Sequence, residues 1–290
     1  MTNISFNLSE KIDPVILDIL KVIHQEASSL GILFFVVGAT ARDIVLNHCH
    51  TIRTDRATRD LDIGVEVDSW DEFQQLSKAL VATGRFEATR EQYRLKFGRF
   101  PVDIVPFGNV SPEDRTISWP PDQQVIMNIM GFKEAYQYGM NVRLSNAPLL
   151  DVKVPTIPGM ALMKVISWND RYPERSKDAE DLLFFMEHYA DAGNEDRMFD
   201  NEVELLQMEG FDLVLAGIRL LGRDMAAIAD EATGTAILEI LEAETGDQQR
   251  YRLVQDMAGS ARTHDRSDEI LTKIMRLKQG VLEAAVLSEC

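Results

Sequence analysis

Three acidic residues stand inside apolar runs, where acids are least expected. Asp60 and Asp62 interrupt Arg59-Asp60-Leu61-Asp62-Ile63-Gly64-Val65, and Asp103 interrupts Pro101-Val102-Asp103-Ile104-Val105. The flanking Leu, Ile and Val residues have the apolar, often β-branched character of strands. Successive side chains on a strand face opposite ways, so Asp60 and Asp62 are expected on one face. Carboxylates crowded on neighbouring strands repel unless a cation lies between them. Mg2+ takes carboxylate oxygens, uses few of them, and keeps positions open for phosphate oxygens. The chemistry expected of these three acids is therefore metal-assisted reaction at a phosphate. The plainer reading is a strand-edge acid beside solvated ones, with no joint role.

The surrounding pattern supplies elements to carry these side chains. Apolar residues recur at helical spacing from about Pro14 to Leu30, and a proline suits a first turn. Ile32-Leu33-Phe34-Phe35-Val36-Val37 reads as a buried strand that ends at Gly38. A helix is expected at once, from Ala39 to Leu46. Glycine at such a turn lets backbone approach a ligand closely, and the N–H groups of a helix start suit phosphate. Asn47 to Thr58 reads as loop. A helix is expected from about Ser69 to Ala82, capped by Asp68 or Ser69 and closed by Gly84. Phe86 to Ala88 is expected as strand. Tyr93-Arg94-Leu95-Lys96-Phe97 alternates like a half-buried strand, and Gly98-Arg99-Phe100 turns it back into the Asp103 strand as a hairpin. Phe107 to Gln124 reads as loop. Phe132 to Tyr138, Val142 to Leu144 and Leu150 to Val154 continue the mixed pattern, and helices dominate from Gly159. Met160 to Ile166 begins the first, and Ser176 to Tyr189 forms the second. The fold class expected is α+β, a mixed-sheet core over residues 1–155 followed by a helical domain over 156–290.

Composition sets limits on partners. The 290 residues are 45% hydrophobic and 27% charged, as in a soluble globular protein, with a formal net charge of −17. Such acidity argues against broad binding to nucleic acid, which depends on Lys and Arg displacing counterions from phosphates. It leaves room for a local basic cleft: Arg53, Arg56 and Arg59 gather in one stretch, and Arg85, Arg90, Arg94, Lys96 and Arg99 in another. Between Asp191 and Arg250 acids far outnumber bases, which reads as a solvated acidic face or, alternatively, as a docking surface for a basic partner. No apolar run approaches the roughly 20 residues of a membrane span. Two cysteines, Cys49 and Cys290, make no disulfide framework, and a cytoplasmic location is expected. His48, Cys49 and His50 are adjacent in sequence and cannot close a tetrahedral zinc site alone.

Gly38-Ala39-Thr40-Ala41-Arg42-Asp43, Asp60-Leu61-Asp62 and the later strand Asp103 together resemble the polymerase-β-like nucleotidyltransferase superfamily. Thr58 before Arg59-Asp60, then Lys164, Arg171 and Lys177-Asp178-Ala179-Glu180-Asp181-Leu182, resemble the signature of the AbiEii/AbiGii-type toxin nucleotidyltransferases. The likeness spans about residues 30 to 190. The Gly38 turn is also similar to that of tRNA nucleotidyltransferases and poly(A) polymerases. The chain departs from the usual pattern in having Ala39 after Gly38, so Thr40 or backbone amides would have to meet a phosphate.

What the resemblance implies is a nucleotidyltransferase core that moves a nucleoside monophosphate from an NTP to an acceptor. Asp60 and Asp62 would hold one Mg2+ or Mn2+ and, with Asp103, a second; Asp103 could also serve as general base. Gly38, Ala39, Thr40, Arg42, Lys164, Lys177 and Asp178 are the candidate nucleotide-binding residues. Against this, Arg42 and Asp43 could form a simple salt bridge, Lys164 could emerge from a core helix, and Lys177, Asp178 and Asp181 could be an exposed helix face. Asp178 and Asp181, three apart, share a face and could orient Lys164 or Lys177. Trp119 could stack a base or anchor its loop. The implied partners are an NTP, an RNA or tRNA acceptor and a separately encoded antitoxin, with no membrane. A small-molecule nucleotidyltransferase of the antibiotic-modifying type, and a non-catalytic binding module on this fold, are the alternatives.

Overall fold

Asp13 begins the helical part of the chain: its carboxylate accepts from the backbone N–H of Val15 at 2.7 Å, and Pro14 follows without a donor to lose. In the computed structural model, which describes residues 4–54, 60–112, 115–120, 126–246, 250–259 and 263–287, this cap opens helix α1 (Pro14–Leu30). A short strand β1 (Phe6–Asn7) precedes it, and Gly31 in left-handed conformation ends it. Strand β2 (Leu33–Val37) then runs into helix α2 (Gly38–Arg42), which continues as a π-helical segment, Asp43–Cys49. The helix thus passes beyond Leu46 into residues expected as loop. His50 donates to the Val45 carbonyl five residues back, and Ile44, Val45 and Leu46 are all buried.

Strand β3 (Leu61–Glu66) starts one residue after Asp60, which lies in a bend and not on the strand. Thr58, Arg59 and Arg56 lie outside the described residues. Helix α3 (Trp70–Ala82) is capped by Ser69, as its sequence indicates. Strands β4 (Phe86–Ala88), β5 (Arg94–Phe97) and β6 (Phe100–Phe107) follow. Within the stretch expected as loop lies β7 (Thr116–Ser118), which pairs with β8 (Ile126–Asn128), just beyond that stretch, as a separate ribbon. Three-residue strands are too short to leave an alternating signature. Helix α4 (Phe132–Gln137) and strands β9 (Met140–Asn146) and β10 (Leu149–Val154) complete this part.

Eight strands form one mixed sheet in the order β1-β9-β10-β2-β3-β6-β5-β4. Pairs β1/β9, β10/β2 and β3/β6 are parallel, and the others antiparallel. The alternation of β3 decides what each face does. Leu61, Ile63 and Val65 are fully buried on one face, while Asp62 and Glu66 are half-buried on the other. α1 and α3 pack together and meet the sheet at β2 and β4. On the face of Asp62, the ring of Phe35 meets those of Phe107, Phe132 and Tyr136 edge to face, and Phe107 lies tilted against Tyr136. Gly64 makes room for it: a Cβ there would lie 2.2 Å from the Phe35 ring.

The chain divides into two compact units, Met1–Thr156 and Ile157–Cys290. The second is helical throughout its described residues. Its elements are α5 (Ile157–Asp170), α6 (Ser176–His188), α7 (Glu195–Asp200), α8 (Val203–Met208), α9 (Leu213–Ile228), α10 (Glu231–Thr245), α11 (Arg252–Ala258) and α12 (His264–Leu287). α5 starts at Ile157 and carries Pro158 in its first turn, where a missing N–H costs nothing. The α9–α12 pair is the most extensive packing in this unit. Acids counted in the sequence as a solvated face are partly internal here. Glu209 accepts from Arg219 and Arg276, buried Glu244 from Arg252 and the Leu253 amide, and Asp224 from Tyr189 and Arg197. Among the described residues no helix is long and apolar enough to cross a membrane.

Candidate functional site

Strand pairing brings the chemistry-bearing residues of the first unit into line. Val37 of β2 stands opposite Asp62 of β3, Asp62 opposite Asp103 of β6, and Asp103 opposite Arg94 of β5. Directly opposed residues share a face, so Asp62, Asp103 and Arg94 form a row across three adjacent strands. Arg94 forks onto Asp103, with Nε at 2.6 Å from Oδ1 and Nη2 at 2.7 Å from Oδ2. The hydrogen bonds to Asp103, though opposed by partial burial, raise the Arg94 pKa and keep the guanidinium fully charged.

The turn after β2 closes on this row from the side. Gly38 has φ +66, and a Cβ built on it would lie 2.1 Å from Oδ2 of Asp62. Both the left-handed backbone and the close carboxylate demand glycine here. Thr40 is buried, and its hydroxyl donates to the Asp60 carbonyl at 3.3 Å, which ties the turn to the Asp60 bend. Arg42 is also buried and donates from Nε and Nη2 to Asp43 Oδ1 at 3.0 and 2.8 Å; Thr54 donates to the same oxygen. The salt-bridge reading of Arg42 and Asp43 describes this contact. Ala39 is half-buried.

The three carboxylates are not equivalent. Asp62 lies on its strand, Asp60 lies before it where strand alternation no longer sets its direction, and Asp103 has both oxygens engaged by Arg94. Among the described residues no three His, Cys, Asp or Glu side chains are grouped so as to hold a metal ion. That donor set does not make an all-protein cage. It does fit Mg2+ in its common mode, bound by one or two carboxylates together with substrate phosphates. Cys49 at the end of the π-helical segment is a free thiol, its pKa pushed up to about 12 by burial, more than nearby Lys11 lowers it.

The second unit gathers its own predicted residues. Lys164 on α5 contacts Asp178 at 2.6 Å and Asp181 at 2.8 Å, both on one face of α6. Ser167 donates to the second Asp178 oxygen at 2.9 Å. Burial alone would lower the Lys164 pKa, but the two carboxylates outweigh it and the net shift is upward. Lys177 is exposed on α6, apart from this cluster. Trp119 is buried against Trp70, Phe73 and Tyr93, as a loop anchor.

Arg94 and Ser167 belong to these clusters although no motif in the sequence marks them. In the sequence Arg94 is one basic residue among several between Arg85 and Arg99. Its pairing follows from the hairpin: a turn at Gly98 and Arg99 sets Phe97 opposite Phe100, and counting back sets Arg94 opposite Asp103. Ser167 gave no signal beyond lying three residues from Lys164 on one helix.

Comparison with known structures finds several nucleotidyltransferases. The antibiotic-resistance factor ANT(2'')-Ia aligns at 13% identity over 69% of this chain and 98% of that chain, with a TM-score of 0.35. The Thermotoga maritima CCA-adding enzyme, solved with tRNA, aligns at 13% identity over 96% of this chain and 83% of that chain, TM-score 0.30. A CCA-adding enzyme in complex with ATP aligns at 13% identity over 97% and 84%, TM-score 0.35. No curated protein sequence matches. The profile of the family described as nucleotidyl transferase AbiEii toxin, Type IV TA system, matches residues 24–273. With most of its length inside that match, the chain belongs to the AbiEii family and is a nucleotidyltransferase.

Proposed function

We propose that this protein transfers a nucleoside monophosphate from an NTP to the end of an RNA, with tRNA as the first acceptor to try, and that it acts as the toxin of a toxin–antitoxin pair. The observation that carries the catalytic part is the contact of the Gly38 turn with Asp62. A backbone turn that favours glycine, with no room for a Cβ, is pressed against a strand carboxylate at the end of β2 and the start of β3, and the phosphate chain would lie against both. Asp60 and Asp62 would hold a divalent cation arriving with the nucleotide, and that ion would neutralise phosphate charge as the acceptor oxygen attacks. The Gly38 turn fixes the direction of Asp62, and Thr40 fixes the bend that bears Asp60. Catalysis of this kind rests on positioning and charge neutralisation, which is what a rigid strand end and a glycine turn can supply.

The test is direct. The full chain is incubated with Mg2+, each NTP labelled on its α-phosphate, and either total tRNA or cationic aminoglycosides. Label on RNA with release of pyrophosphate is the expected result. Label on the aminoglycoside would move the acceptor to the small-molecule class. No label, together with no binding of any NTP, would contradict nucleotidyl transfer at this site.

A further inference from the structure

Asp103 stands where a third metal-binding carboxylate is expected, yet its surroundings are those of an anchored ion pair. Both oxygens are taken by one guanidinium, at 2.6 and 2.7 Å. The Asp103 side chain is 14% exposed and that of Arg94 35%, so the cation, not the carboxylate, meets an arriving ligand. Arg94 uses its Nε and Nη2 edge on Asp103; Nη1 makes no hydrogen bond among the described residues and has two N–H groups to offer. The backbone of Arg94 is also fixed, its amide donating to the Glu91 carbonyl at 3.1 Å and its carbonyl accepting from Thr89 at 2.9 Å. An arginine pre-oriented by a bidentate carboxylate is suited to phosphate, which its planar fork matches geometrically.

We propose that Asp103 acts as the anchor of Arg94 instead of as a metal ligand, and that the outward Nη1 edge of Arg94 binds the β- and γ-phosphates of the NTP. The row then reads, from β3 to β5, as a carboxylate for the nucleotide-borne cation, an anchoring carboxylate, and a fixed cation for the leaving pyrophosphate. Asp103 is a positioning residue in this arrangement. The inference rests on the reading of this site as a nucleotidyl transfer centre.

Equilibrium binding tests it apart from turnover. Non-hydrolysable α,β-imido analogues of the four NTPs, and the four nucleoside monophosphates, are titrated with Mg2+ into the wild-type chain, Arg94→Met, Arg94→Lys, Asp103→Asn and the Arg94→Met/Asp103→Asn double variant. Loss of a charged hydrogen-bonding group should weaken triphosphate binding by about 10- to 100-fold in Arg94→Met. Monophosphate binding should stay unchanged. Asp103→Asn should weaken triphosphate binding in the same direction with no change in the Mg2+ concentration required, and the double variant should be no worse than Arg94→Met. If Arg94→Met does not melt cooperatively, Arg94→Lys carries the test, with an intermediate loss expected. Triphosphate binding as tight as wild type in the arginine variants, with a raised Mg2+ requirement in Asp103→Asn, would overturn the proposal and make Asp103 a metal ligand. A wild-type chain that binds no triphosphate would instead sink the nucleotidyl transfer centre itself.

Discussion

The row on the sheet and the cluster on helices α5 and α6 each set two aspartates about a close cationic side chain, Arg94 in the first and Lys164 in the second, but they use that charge differently. In the sheet unit the cation stands at the end of the row, bonded to Asp103, and 35% of its side chain is exposed. In the helical unit Lys164 sits between its two acids, Ser167 occupies a remaining carboxylate oxygen, and the Asp178 side chain is only 4% exposed. The first arrangement leaves charge available to a ligand. The second satisfies its charge internally. Substitutions in the row should therefore change chemistry with the fold retained, whereas loss of the lysine should change stability.

The largest effect is expected at Asp62. Asp62→Asn keeps the shape and removes the charge, and transfer should fall by about 1,000-fold with an unchanged thermal melt. A full-rate variant would place the chemistry elsewhere. Lys164→Met comes next, because it removes the cation held between two buried carboxylates and leaves Asp178 with the longer contact of Arg175, at 3.9 Å. Destabilisation of about 3–5 kcal/mol is expected from denaturant titration. The same lysine predicts a pH dependence. Its folded-state pKa is raised, so its contribution is complete below the unfolded value of about 10.4 and is lost as pH rises through the folded value. Wild-type stability should decline in that alkaline window more steeply than that of Lys164→Met; parallel curves would show the cluster to be uncoupled from folding. Gly38→Ala should cost less stability than Lys164→Met, about 1–3 kcal/mol from strained backbone, while displacing Asp62 enough to reduce transfer. Unchanged activity in that variant would show that the close approach of turn and carboxylate is dispensable.

Much of this was legible in the residues. The apolar run before Gly38, the proline in the first turn of α1, and the placing of Asp62 and Asp103 within apolar strands each follow from local rules of burial, helix starts and alternation. Asp178 and Asp181 share a face through helix periodicity alone. What escaped depends on contacts distant in sequence or on departures from regular geometry. Asp60 falls one residue short of β3, so the alternation argument that joined it to Asp62 no longer applies. The approach of Gly38 to Asp62 requires the antiparallel pairing of β2 with β3, which no single stretch encodes. The π-helical continuation to Cys49 and the β7–β8 ribbon left no periodic trace. Arg94 was recoverable in principle, since a turn at Gly98 and Arg99 dictates its partner by simple counting.

The central claim is that Asp62 helps hold the cation of a metal-bound triphosphate at the Gly38 turn. Mn2+ binding, followed by the loss of the free-ion electron paramagnetic resonance signal, measures this for the wild-type chain and Asp62→Asn in the presence of a saturating α,β-imido triphosphate. Tight, nucleotide-dependent uptake in the wild type and its loss in the variant is the expected result. Equal uptake by both proteins would contradict it.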